Sequence, residues 1–180
     1  MDVLRLIAHP VRLRILHAMS GQSELTVSDL LRRLGDVPQA SVYRHVTLLV
    51  DGGVLEVAGE VRVRGAVERR YRLSPTRATV GRERAEAMSL DEHREAFMAG
   101  ISALVAEFEA YLARADARPA EDSVGYRQVT LHLAPAEVSA LVGEVSAVLA
   151  TFITNAPDPA RRAYLLSPIL FPIDEPPAPA

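Results

Sequence analysis

At Asp51-Gly52-Gly53 the apolar period of this chain changes, and that change constrains the fold more than any other feature. Before it, apolar residues recur at helical spacing. After it, "VLEVAGE" and "VERRYRL" read as two strands around the tip "VRVRGA", where Gly65 supplies the positive φ of a tight turn. Upstream, an apolar stripe from about Asp2 to Met19 predicts a helix that Pro10 bends or splits. Thr26, with Asp29 three residues on, reads as the cap of a second helix that Gly35 ends. Pro38, with Asp36 before it, stands at the first position of a third helix, which runs to about Asp51.

Three helices and a hairpin in this order are the layout of a winged helix-turn-helix. In "PQASVYRHVTLL" Val42, Val46 and Leu49 share one helical face, and Gln39, Ser41, Tyr43, Arg44 and Thr47 supply the polar face. Alone, such a face is most often just the solvent side of an amphipathic helix. Set between a capped helix and an Arg-tipped hairpin, it reads as a base-contacting surface. Arg suits a guanine edge and Gln an adenine edge. His45 falls nearer the apolar boundary and reads as support. Arg62 and Arg64 at the hairpin tip, with Arg69 and Arg70 on the returning strand, offer phosphate contacts. Charge agrees: residues 1–77 hold twelve Arg against eight Asp or Glu, whereas residues 78–180 hold eight against fifteen. Every basic residue of the chain is Arg, whose planar fork suits phosphate.

Beyond residue 77 a second organisation begins. Residues 78–118 read as a link followed by a long helix, broken near Ser89, with Leu90, Phe97, Ile101, Leu104, Phe108 and Tyr111 forming a heptad-like seam for a dimer mate or for the C-terminal part. Residues 119–180 read as a small β-α-β domain: a strand at "YRQVTLHL", a helix from Pro135, and a strand at "AYLLSPILFPI", before a frayed "DEPPAPA" tail. The fold class is therefore α+β, with a winged helix-turn-helix, a dimerisation helix and a small αβ domain. Tyr126, His132, Phe152 and Tyr164 are candidates to line an effector pocket.

With these residues in view, residues 1–75 resemble an ArsR-type winged-helix transcriptional regulator. The resemblance is carried by "IAHPVRLRILHAM", "LTVSDLLRRLG", "VPQASVYRHVTLLVDGGVLE" and "RRYRLSP". It implies a homodimeric repressor that binds double-stranded operator DNA and answers to a small-molecule effector. Metal-sensing relatives use Cys, or an Asp-x-His with later ligands; Asp91 to His93 fits the first part, but there is no Cys and Leu104 stands where a second His is wanted, so no metal or other cofactor is expected. No nucleophile elbow and no phosphate loop after a strand is present, so an enzyme is not expected. There is no run of about 18 apolar residues to span a membrane, so no membrane partner is expected and the expected location is the cytoplasm. Two alternatives stay open: an interaction module that keeps the fold without binding DNA, and a DNA-binding regulator with no effector.

Overall fold

The computed structural model describes residues 3–22, 24–63, 66–75 and 85–173. The chain begins with α1 (Val3–Ile7) and α2 (Pro10–Met19), so Pro10 splits the first helix. His9 caps α2: its Nδ1 accepts from the Val11 N–H at 3.2 Å. β1 (Leu25–Thr26) leads into α3 (Val27–Arg33). Thr26 and Asp29 close a reciprocal capping box, each side chain accepting from the other's backbone N–H at 3.1 and 2.9 Å. α4 (Gln39–Asp51) follows, with Pro38 as its cap rather than its first residue. It ends at Gly52 and Gly53. Gly53 adopts φ 71°, and a Cβ on Gly52 would sit 2.0 Å from a Leu6 side-chain carbon.

β2 (Leu55–Val63) and β3 (Ala66–Leu73) form the hairpin, with a register shift between Val57 and Gly59. β1 adds to its other side, Leu25 opposite Tyr71, which gives an antiparallel sheet in the order β1-β3-β2. Two residues are too few to show a period, which is why the sequence pattern does not reveal β1. One core joins these elements: Leu6, Ile15, Met19, Leu30, Leu49 and Leu55 are each 1% exposed or less. Truncating any of these to Ala costs roughly 2–5 kcal/mol.

α5 (Leu90–Leu112) is capped by Ser89 and Glu92 and packs along α2. Its buried residues are Ala99 and Ala103, small enough for a close approach. The anticipated seam lies off that contact: Ile101, Leu104, Phe108 and Tyr111 are half-buried, and Leu90 and Phe97 are exposed. α6 (Pro135–Ile153) matches expectation as a helix, but none of its residues is buried. It is also long and apolar enough to cross a bilayer by length and composition, with Glu137 and Glu144 interrupting it. The expectation that no apolar run reaches spanning length is therefore corrected at α6, by length and composition alone.

The two strands expected around α6 are not formed. Residues 125–133 and 163–173 join no sheet among the described residues. Alternation marks which side of a strand is apolar, but a strand also needs a neighbour, which alternation does not name. The Pro-rich tail and the first residues of the link lie outside the described residues.

Candidate nucleic-acid interface

α4 carries two faces. Val42, Val46 and Leu49 are 0–2% exposed and lock the helix onto α1, α2 and α3. Gln39, Tyr43, Arg44 and Thr47 are exposed, and Ser41 is half-buried. Thr47 donates its hydroxyl to the Tyr43 carbonyl at 3.0 Å, so its oxygen remains an acceptor for a ligand. Arg44 makes no ion pair with a described carboxylate.

His45 is 4% exposed and tilts against His9, ring centroids 4.4 Å apart. Burial pushes His45 down to about 4, with His9, Arg12 and Arg44 adding like-charge repulsion. His9 is lowered for the same reasons, burial first, then Arg12 and Arg44. At neutral pH both rings are uncharged packing groups. His45 is thus support for the helix, as its place at the apolar boundary implies.

These effects also reveal a residue that the sequence pattern does not. Arg12, on α2, lies close enough to Arg44 for their charges to interact, and burial together with Arg44 lowers it. Its guanidinium bonds to the carbonyls of Leu6 and Arg5 and to no described carboxylate. Arg12 therefore adds positive charge beside the exposed face of α4. A contact between helices over thirty positions apart leaves no trace in local spacing.

In the hairpin, Arg62 is exposed and has no ion pair with a described carboxylate. Its neighbours differ. Arg69 lies 4.0 Å from Glu60, Arg70 lies 3.5 Å from Glu24, and Arg72 bonds to Glu56 at 3.1 and 3.2 Å. Arg64 and Gly65 lie outside the described residues.

Arg14 connects this surface to the rest of the molecule. Its side chain is 3% exposed and forks onto Asp36 at 2.6 and 2.8 Å, which raises Arg14 and holds Asp36 below its usual range. Its Nε lies 3.2 Å from Glu107 of α5, within ion-pair range but outside hydrogen-bond alignment. Asp36 is therefore not a helix cap; it anchors the turn before α4 to a buried guanidinium.

An open cleft of about 760 Å³ is lined by Glu107 and, among others, by His17, Arg33, Phe152, Arg161 and Tyr164. It unites Phe152 and Tyr164 but not the other two pocket candidates. Tyr126 instead meets Phe108 edge-on, centroids 5.9 Å apart, and His132 is exposed and away from the cleft. Tyr126 thus packs on the long helix, apart from the cleft that Phe152 and Tyr164 share.

Residues 7–58 match a family model described as a helix-turn-helix domain. The matched span runs from the end of α1 through α4 into β2, and so covers the helix whose polar face is exposed. A helix-turn-helix points to a DNA-binding transcription regulator, with DNA as its partner. A comparison with curated proteins finds no match.

Proposed function

We propose that the chain is a cytoplasmic, homodimeric, sequence-specific transcriptional repressor of the ArsR type, with no catalytic role. In this reading α4 enters the major groove of each operator half-site, Gln39, Tyr43 and Arg44 contact base edges, and Ser41 and Thr47 assist. The β2–β3 hairpin acts as a wing, Arg62 contacting phosphate. The observation that carries the reading is the division of α4: an exposed hydrogen-bonding face held rigid by side chains that are essentially fully buried. Arg44, which pairs with no described carboxylate and has Arg12 beside it, supports an anionic partner.

A small-molecule effector fits the cleft beside Glu107, because Glu107 also faces Arg14, and Arg14 holds the turn that starts α4. An effector acts there by binding better to one of two positions of α5 relative to α4. A second reading, an interaction module that does not bind DNA, draws on the hairpin, where Arg69, Arg70 and Arg72 each face a Glu.

Gel shift against fragments of the chain's own promoter tests the choice. Wild type binds a specific fragment, and Arg44→Ala weakens that binding by roughly 10- to 100-fold while sparing nonspecific DNA. Equal binding of all fragments by both proteins rejects the repressor reading and favours the second.

A further inference from the structure

The cleft that Glu107 lines joins two parts of the chain that are far apart in sequence. The first part brings the end of α2 and Arg33 of α3; the second brings Phe152 of α6 and the segment that carries Arg161 and Tyr164. Its volume of about 760 Å³ falls within the roughly 300–1,000 Å³ that small-molecule sites occupy. Its chemistry narrows the class of molecule.

Charge comes first. Arg33 and Arg161 pair with no described carboxylate. Each spends Nη1 on a backbone carbonyl, Arg33 on Ala18 at 3.1 Å and Arg161 on Ala156 at 3.0 Å. Those bonds anchor the two side chains and leave Nε and Nη2, the edge that forks onto a carboxylate, without a described partner. The third arginine of the lining, Arg162, is taken by Asp122. Glu107 is the sole carboxylate among the described lining residues, and Arg14 lies 3.2 Å from it.

Two helix ends oppose the two arginines. α2 ends at Met19 and α6 at Ile153, and residues on either side of both ends line the cleft. Each C-terminus carries roughly half a negative charge, so the cleft keeps about one positive charge, which suits a monoanion better than a dianion. The rings come next: Phe152 is 64% and Tyr164 67% exposed. An inorganic ion leaves both in water, whereas an apolar body covers them.

We propose that this cleft binds an organic monoanion, with a carboxylate held by Arg33 and Arg161 on an aromatic or aliphatic body that covers Phe152 and Tyr164. The proposal rests on the effector reading of the cleft and names the class of effector. Arg33 stands three residues before Asp36, which holds the turn into α4 on Arg14, so an anion that ties Arg33 to Arg161 bears on that turn. A nucleic-acid strand also uses arginine and exposed rings, but it brings one negative charge per nucleotide, and the cleft has about one positive charge to offer in all.

Isothermal titration of the full chain tests this with 2-naphthoate and octanoate, their uncharged amides, inorganic phosphate and a short oligothymidylate. The expected result is one molecule of acid per chain, bound at least about 10-fold tighter than its amide, phosphate or the oligonucleotide. Arg33→Gln and Arg161→Gln are each expected to weaken the acid by about 10-fold and to leave the amide unchanged, and Phe152→Ala to weaken both. Because the amide reports on the apolar wall alone, a variant that misfolds is recognised by losing it too; Arg161→Lys, which keeps the charge without the fork, then retains part of the affinity. Equal affinity for acid and amide overturns the proposal, as does tighter binding of phosphate or the oligonucleotide, full affinity for the acid in both Gln variants, or no binding of either acid. Adding the bound acid to the promoter gel shift separates the two readings. Binding in the cleft with promoter affinity unchanged upholds the anion site and sinks the effector role, and a chain that binds the acid but no promoter strikes the repressor reading alone.

Discussion

His45 and Arg14 are both buried polar residues, and they respond to perturbation in opposite ways. His45 is held near 4 by burial, against about 6.5 in the unfolded chain. As pH falls below about 6.5 the unfolded state takes up the proton first, so its contribution is complete above that value and is lost progressively down to about 4. The loss is on the order of 3 kcal/mol. Unfolding free energies from urea titration at pH 7.5 and 4.5 are expected to differ by about that amount in wild type, and by clearly less in His45→Phe; equal pH dependence in the two proteins would remove His45 as the cause. Arg14 is charged throughout, and here the partners' exposure decides. Asp36 is 50% exposed and Glu107 27%, so after Arg14→Met both carboxylates can still be hydrated, and the expected cost is about 1 kcal/mol. Replacing Asp36 and Glu107 together by Ala strands a guanidinium that is 3% exposed, and the expected cost is about 3–5 kcal/mol. Chemical denaturation of the two variants checks the order; a larger loss from Arg14→Met would mean that packing, not charge, is what Arg14 supplies.

At the scale of elements, the hairpin divides its arginines by partner. Arg62 makes no ion pair with a described carboxylate, whereas Arg69, Arg70 and Arg72 each have a Glu. Arg62→Ala is therefore expected to weaken binding to all DNA sequences alike and to lower the slope of log K against log salt by about 1. Arg72→Ala is expected to leave that slope unchanged; a drop there would show that Glu56 releases its arginine on binding. The division of α4 into faces was legible because helical spacing is local: Val42, Val46 and Leu49 announce the buried side in the sequence itself. Pro10 and Thr26 were legible for the same reason. Arg12 beside Arg44, Asp36 on Arg14, and β1 beside β3 were not, since each depends on a contact between segments far apart in the chain. The strands expected around α6 show the reverse error. Their alternation is real, but alternation names a buried side without naming what buries it.

The whole molecule is built in two unequal parts. Residues 3–75 enclose their own core, and α5 is fastened to it by Ala99 and Ala103 packing along α2 and by Glu107 facing Arg14. Under the repressor reading, the angle of α5 on α2 sets the separation of the two α4 helices in the dimer. Affinity for one half-site depends on α4 and the hairpin alone. Affinity for two half-sites about one DNA turn apart depends on their separation as well. Ala103 is 0% exposed, so Ala103→Leu must push α5 outward, at a stability cost of roughly 1–3 kcal/mol. The expected outcome is a fall of about 10-fold or more in affinity for a two-half-site fragment, with affinity for an isolated half-site unchanged and the dimer intact by sedimentation. Lengthening the spacer between half-sites by one base pair should then restore part of the loss. Equal weakening on both kinds of fragment would mean that the substitution disturbs α4 itself, through Arg14 and Asp36, and that α5 does not act as the spacer.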